Sequence, residues 1–299
     1  MLYRIQKGQA MHGLPMERYY TYAGISRQAY FKRLQRKDLN DQICNELSGK
    51  VLSYRAKKDA RAGSRSLYKN LDIKSEYGIG INKFEHMMRE MGLTMKPLRT
   101  RVVTTKSSFQ SWQYSNLISG LENTDINQVI AGDLTYVDIG RDRWYTFCLT
   151  DLYSARIVGI EISKRMRSIE AYSCQQQWVE LRGKENLQGC IHHTDGGSQY
   201  FSNLYLGGLQ IIGVQVSVAN NCLENGYSEQ QNSMLKNHFI PTINYYPGMN
   251  ISLEIKRISD FYNRERKQSK LDWLSPVAFE QKWHRKEGRP KIKLHDFNE

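Results

Sequence analysis

Three acids in this chain stand where an acid needs a reason. Asp133 leads into the β-forming run Leu134-Thr-Tyr-Val137, a context that disfavours Asp. Asp195 closes the apolar run Cys190 to His193 and is followed by Gly196 and Gly197, which let the chain turn sharply and leave a carboxylate at a sheet edge. Glu229 stands near the start of a helical stretch, Ser228 to Lys236, able to lean across that edge. Sixty-one residues separate the two Asp, and 33 separate Asp195 from Glu229. Three carboxylates gathered in this way repel one another unless a cation neutralises them. Mg²⁺, with Mn²⁺ able to substitute, is the natural candidate, because a hard cation takes oxygen ligands and fills its shell with water and phosphate oxygens. Two such ions about 4 Å apart activate an attacking oxygen and stabilise a leaving one, which is phosphoryl-transfer chemistry. Spacing alone does not single out this triplet among 30 acids; the surrounding elements must.

Those elements read as an α/β unit. Leu134 to Val137, Trp144 to Leu149 and Arg156 to Ile162 are short runs rich in β-branched and aromatic residues, separated by the turns Gly140 to Arg143 and Leu152 to Ala155. A helix from Ser168 to about Leu181, the strand at Cys190 to His193 and the helix at Ser228 to Lys236 follow. Three antiparallel strands and then alternating helix and strand imply an α/β sheet layered with helices; ribonuclease H-like folds, built on a mixed five-stranded sheet, have that order. Asp151 is a fourth carboxylate, on the neighbouring strand, and is expected to play a supporting part. His192 and His193 are adjacent in a strand and so face opposite sides; both are expected in core or supporting positions.

Ahead of this core the sequence predicts small all-α, helix-turn-helix units. Gly24 turns the chain before Ser26, a good N-cap, and Tyr30, Phe31 and Leu34 share one face of the helix that follows. Arg27, Gln28, Lys32 and Arg33 fall on the other face, where a recognition helix meets bases and phosphates. Helices from Ser64 to Leu71 and from Ile81 to Met91 suggest a second such unit; Phe84, Met87, Met88 and Met91 form its packing stripe and Gly92 its stop. The expected divisions are 1–54 and 55–99 for the two helical units, 100–124 for a polar linker, 125–244 for the core and 245–299 for a basic C-terminal region.

Charge follows the same division. The formal net charge is +13. Residues 1–124 carry 22 basic and 10 acidic side chains, 125–244 carry 9 and 12, and 245–299 carry 12 and 8. A basic front and tail around an acidic centre place polyanion binding and metal chemistry on different parts of the chain. Arg264, Arg266 and Lys267, on a polar helix in the tail, are further candidates for phosphate contacts. The five cysteines show no CxxC pair or zinc-finger spacing and read as reduced core thiols, as expected in a cytoplasmic protein. No signal-peptide pattern opens the chain, and no 18-residue apolar run suggests a membrane span.

The motifs together resemble the DDE transposase and retroviral integrase superfamily, and more narrowly the integrase-core transposases of the bacterial insertion-sequence-3 family. Asn127 to Val137 is similar to that family's first acidic motif, Asp151 to Gly159 to its second-strand block, His192 to Tyr200 to its second acidic motif, and Asn221 to Glu229 to the segment bearing its last acid. Tyr262-Asn-Arg-Glu-Arg266, Leu271, Ser275-Pro276 and Phe279 match its C-terminal signature. The resemblance covers residues from about 61 to 282. It implies that Asp133, Asp195 and Glu229 are the catalytic, metal-binding acids. It also implies terminal inverted repeats and target DNA as substrates, and a homodimer or larger synaptic complex as the working form. The implied route is copy-out and paste-in, with an upstream helix-turn-helix product as a fusion partner. The chain departs from the pattern at Ile130 (commonly Trp), Gly196 (Arg), Gln230 and Gln231, and Gln268 (His), and its last acidic interval is slightly short.

Two other functions use the same acids or the same basic face: a ribonuclease H-like nuclease without strand transfer, and a non-catalytic regulator that binds element ends. The Arg, His and Tyr grouping of a tyrosine recombinase is not found.

Overall fold

A hairpin, a return strand and two parallel strands build the sheet that positions the acids. The structure, a computed structural model, describes residues 16–98, 114–219, 226–285 and 292–293. In chain order it holds α1 (Met16–Tyr22), α2 (Arg27–Lys57), α3 (Ser64–Asn70), α4 (Ile73–Tyr77) and α5 (Ile81–Glu90). Then come β1 (Glu122–Asn123), β2 (Val129–Ile139), β3 (Asp142–Asp151), β4 (Ile157–Ser163) and α6 (Ser168–Arg182). The chain continues through β5 (Ile191–Thr194), α7 (Asn203–Ile211), β6 (Gln215–Val218), α8 (Gly226–Met234), α9 (Ile251–Arg264), α10 (Pro276–His284) and β7 (Ile292–Lys293).

The main sheet has the order β4-β3-β2-β5-β6, with β3 antiparallel to β2 and β4, and with β5 and β6 parallel to β2. This is the ribonuclease H-like arrangement that the strand pattern predicts. The β2–β3 turn is Gly140-Arg141; Gly140 sits at φ +64°, and a Cβ there would lie 2.5 Å from the Tyr245 ring, so glycine is required twice over.

Alternation along β2 separates two cores. Ile130, with Phe147, Leu149 and Val158, packs against α6 and α7 through Trp178, Cys174, Tyr205 and Leu209. Val137 and Ile139, with Cys148, Ile160 and Ile162, pack on the opposite face against Leu235, Phe239 and the Ile255, Ile258 and Tyr262 stripe of α9. The approach of α6 to β4 is close at Gly159, where an added Cβ would meet the Cys174 carbonyl oxygen at 2.4 Å. Gly159→Ala is therefore expected to lower stability by about 1–3 kcal/mol, read as a shifted urea midpoint with an unchanged slope.

The helical front differs from the expected pair of units. Ser26 caps α2 as predicted, accepting from the Ala29 N–H at 3.1 Å, but α2 then runs through 31 residues and crosses the boundary expected at 54/55. Its first turns support Tyr30, which meets Tyr20 of α1 at 5.2 Å between ring centroids. Its last turns contribute Leu47 and Val51 to one cluster with Leu67, Ile73, Phe84, Met87 and Met88, so the second unit is built on the end of the first unit's helix. The Lys/Arg-rich run from Arg55 to Arg61 reads as a connection between units, but no helix-breaking residue stands at 54/55.

The expected linker at 100–124 lies partly outside the described residues. Within its described end, Ile118 is buried with Val129, and the Leu117 N–H donates to Ser217 Oγ at 2.9 Å. The basic tail expected from 245 onward instead begins with α9, whose apolar stripe closes the second core. Cys148, Cys174 and Cys190 are buried free thiols, and Cys222 lies outside the described residues. Among the described residues no helix is long and apolar enough to cross a membrane.

Candidate active site

β2 outlasts its neighbour. The parallel pairing with β5 stops at Gly132 opposite Thr194, so Asp133 and Asp195 are the next residues on two adjacent chains, roughly 5 Å apart in backbone spacing. Beyond that point β2 has an open edge on the β5 side, and α8 packs against β2 there. Glu229 lies in the first turn of α8 and is exposed. Asn232, one turn later on the same face, is buried and donates from Nδ2 to Asp133 Oδ2 at 2.6 Å. That bond fixes the helix face bearing Glu229 toward the end of the two strands. Residues 220–225, which carry part of the last motif, lie outside the described set.

Asp133 is 8% exposed, and its Oδ1 accepts from the Leu134 N–H at 2.8 Å. Burial, and then the negative charge of Asp195 and of Glu229, push its carboxyl up to about 7, against the opposing hydrogen bonds. Asp195 is more open, bonded at Oδ1 by the Gly197 N–H at 3.0 Å, and partial burial raises its carboxyl as well. Gly196 holds φ +81°, and a Cβ would stand 3.3 Å from Val218 Cγ1, so the Arg common in the family would be strained here.

Among the described residues no three His, Cys, Asp or Glu side chains approach closely enough to enclose one ion. The three acids share a mouth without sharing a coordination shell. Their chemistry fits a divalent cation nonetheless. The donors are hard oxygens, Asp133 is held by amide N–H groups rather than by a cation, and Asn232 Oδ1 beside it is buried with no hydrogen-bond partner among the described residues.

The neighbouring acid has a different task. Asp151 pairs in register with Ile130, three positions from Asp133, and so faces the other side of the sheet. It is fully buried and accepts from the backbone N–H groups of Asn127, Tyr153 and Ser154 and from Arg182 at 3.2 Å. Arg182 also binds Glu280 of α10, which takes Arg156 and the Ser154 hydroxyl besides. The second-strand motif thus anchors the C-terminal helix to the sheet. Arg182→Ala leaves buried Asp151 without a cation and takes one of two from Glu280, and is expected to cost about 3–5 kcal/mol; a loss under 1 kcal/mol in urea unfolding would contradict the assignment.

His192 is a core residue, between the Ile130 carbonyl at 3.1 Å and the Tyr205 hydroxyl at 2.8 Å, and burial pushes its pKa down to about 4. His193 shares the Asp133 face and is buried against Ser217 at 2.9 Å.

Sequence reading overlooked Asn232 and Lys236. Positions three and seven beyond Glu229 share its helix face, a periodicity visible in the sequence. The Lys236 ammonium lies 4.2 Å from the Tyr136 ring centroid, with Arg143 on the same ring at 4.8 Å. Desolvation lowers the Lys236 pKa, while the charge of Asp133 opposes that shift.

The expected DNA contacts divide. Arg27, Gln28, Lys32 and Arg33 are all exposed on α2. Arg264 is exposed, whereas Arg266 and Lys267 lie past the end of α9 and are engaged within the protein: Arg266 with Asp59 at 3.2 Å, Lys267 with Asp72 at 2.8 Å. Two departures from the family pattern meet at one hydroxyl. Gln231 donates to Tyr262 Oη at 3.0 Å, and Tyr262 reaches Gln268 at 3.4 Å, so the C-terminal signature backs the helix that bears Glu229.

The sheet order and the acids at its mouth define a polynucleotidyl transferase core. In agreement, the integrase core domain family matches residues 123–221, a span that holds Asp133 and Asp195 and stops short of Glu229. The insertion element IS600 uncharacterized 31 kDa protein of Shigella sonnei is 30% identical over 275 residues, covering 87% of this chain and 97% of that one. The transposase for insertion sequence element IS904 of Lactococcus lactis is 33% identical over 199 residues, covering 65% and 78%. The catalytic core domain of HTLV-2 integrase in complex with magnesium superposes with a TM-score of 0.42 at 16% identity, over 54% of this chain and 97% of that one. The chain belongs to the insertion-sequence-3 family of DDE transposases, enzymes of DNA strand transfer.

Proposed function

We propose that Asp133, Asp195 and Glu229 are the acids with which this transposase cleaves the ends of its element and passes the freed 3′-OH to a target phosphodiester. The observation that carries the reading is their convergence: two adjacent strand ends and the first turn of α8, distant in sequence, meet at the open edge of β2, with Asn232 tying helix to strand. The three carboxylates would hold Mg²⁺, two ions in the full reaction, with Mn²⁺ as a substitute. A divalent cation held by these carboxylates would supply the acidity that makes a water or 3′-OH nucleophilic and the positive charge that a leaving oxygen needs. Asn232 orients Asp133, the Gly196-Gly197 turn leaves Asp195 open to a phosphate, and Lys236 supplies positive charge beside the scissile strand.

Terminal inverted repeats are the DNA that Arg27, Gln28, Lys32 and Arg33, exposed on α2, would contact, with Arg264 as a further backbone contact. Joining two ends calls for two active sites, hence a homodimer or larger synaptic complex, with an upstream helix-turn-helix product as a fusion partner. The test is a joining assay with labelled, pre-cut end DNA, a supercoiled target and Mg²⁺ or Mn²⁺. Joined product supports the reading. Cleavage of uncut ends with no joining under any condition identifies a nuclease, and binding without either reaction identifies an end-binding regulator.

A further inference from the structure

We propose that Asp59 is a positioning residue for strand transfer: it locks the N-terminal helical unit onto the helix that bears Glu229 and so sets where that carboxylate stands. This rests on the reading of Glu229 as a catalytic acid. Asp59 lies between α2 and α3 and is fully buried. Its Oδ1 is 2.7 Å from His238 Nδ1, its Oδ2 accepts from Arg266 Nε at 3.2 Å, and the Arg61 N–H adds a bond at 3.2 Å. One position on, the Ala60 N–H donates to the His238 carbonyl at 2.8 Å. Burial would raise the Asp59 carboxyl, but His238 and Arg266 outweigh it and hold the group below its usual range. An ionised carboxylate only accepts, so the Nδ1 of His238 carries the proton.

The partners make this more than a surface tie. His238 belongs to Leu235–Phe239, where α8 widens into a π-helical turn, and Arg266 belongs to the C-terminal signature. A π-turn rotates the helical register and is held only by surroundings that favour it, which is why such turns mark functional sites. Upstream of it, on the same continuous helix, stand Asn232 and Glu229. His238 lies nine positions beyond Glu229, roughly 14 Å of helix, so Asp59 acts at a distance and touches no reacting atom. Lys58 to Glu265 at 3.0 Å and the Tyr54–Phe261 ring contact at 6.3 Å brace the same junction. A DNA end seated on the N-terminal unit is thereby given a fixed relation to the last catalytic acid.

The experiment compares the full-length wild type with Asp59→Asn, which keeps the shape and removes the charge. Thermal unfolding should stay a single cooperative transition, and end-DNA binding should stay within about threefold. Joining of pre-cut ends should slow roughly 10- to 100-fold, the scale of an ångström-sized misplacement, and half-maximal rate should need more Mg²⁺. Amide exchange should quicken in residues 226–239 while α3 to α5 keep their protection. His238→Gln, which retains an N–H donor, should lose less than His238→Ala, and Asp59→Asn combined with His238→Ala should be no slower than the worse single variant. Wild-type joining together with unchanged exchange in 226–239 would overturn the proposal. So would a parallel loss of folding, binding and joining, which is what a merely structural residue gives. If the wild type itself joins no ends, the functional reading fails, and the exchange measurement still decides the clamp.

Discussion

Asp133→Asn is expected to reduce both end cleavage and joining by at least about 10³-fold while leaving end-DNA binding within a few-fold of wild type. Asparagine retains one oxygen and the shape that meets the Leu134 N–H, but it withdraws the charge that a hard cation needs. Asp195→Asn and Glu229→Gln should behave alike, because a metal held by several carboxylates fails as a unit. Steady-state joining of pre-cut ends, followed beside a filter-binding or anisotropy titration, separates the two effects. Equal activity of Asp133→Asn and wild type would remove Asp133 from the site, whatever the other two variants do.

The same substitution should have the opposite effect on stability. The Asp133 pKa of about 7 lies above the ordinary 3.8, so the fold favours the protonated acid. That contribution is fully present below about pH 4 and is lost as pH rises through about 7. In chelator at pH 8.5, Asp133→Asn should therefore be more stable than wild type, by roughly 1–4 kcal/mol for a shift of about three units. At pH 5.5 the advantage should shrink or vanish. Metal binding must displace the same proton, so divalent-cation affinity should climb about tenfold per pH unit up to pH 7 and then level off. Urea unfolding at the two pH values, with and without Mg²⁺, reads both effects. A pH-independent difference between variant and wild type would show that burial and the neighbouring charges do not govern Asp133.

Much of this was legible in the sequence because the physics is local. Alternation in β2, β3 and β4, the Gly140 turn and the Ser26 cap act within a few residues, and the strands and helices fall where those signals predict. Asp133 and Asp195 could be singled out because an Asp in a strand and an Asp before two glycines are each locally unfavourable or unusual. What escaped depends on distant partners. Arg266 and Lys267 carry the same charge whether they face DNA or a buried acid, and their acids, Asp59 and Asp72, lie some two hundred residues away. The supporting part expected of Asp151 takes its form only from the register, which puts it on the other face of the sheet. The tail looked separate because its charge changes sign there, yet Ile255 and Ile258 of α9 complete the second core. Charge reports surface, whereas burial is decided by which apolar stripes find each other.

The length of α2 sets a scale for the DNA. At 1.5 Å per residue its 31 residues reach about 46 Å, from the exposed basic turn at Arg27 to the junction with the core at Lys58. Between residues 31 and 42 of α2 only Leu34 is even half-buried, before Ile43 and Cys44 join the packing against α5. Laid along B-DNA at 3.4 Å per step, that length corresponds to some 13 base pairs. If Arg27 to Arg33 read bases and the three acids act at the sheet edge, the bases read and the phosphate attacked are different stretches of the element end, more than one turn of duplex apart. A footprint on end DNA should accordingly protect an inner block separated from the terminal nucleotides, and shortening the spacer between them should abolish cleavage while leaving the inner block occupied.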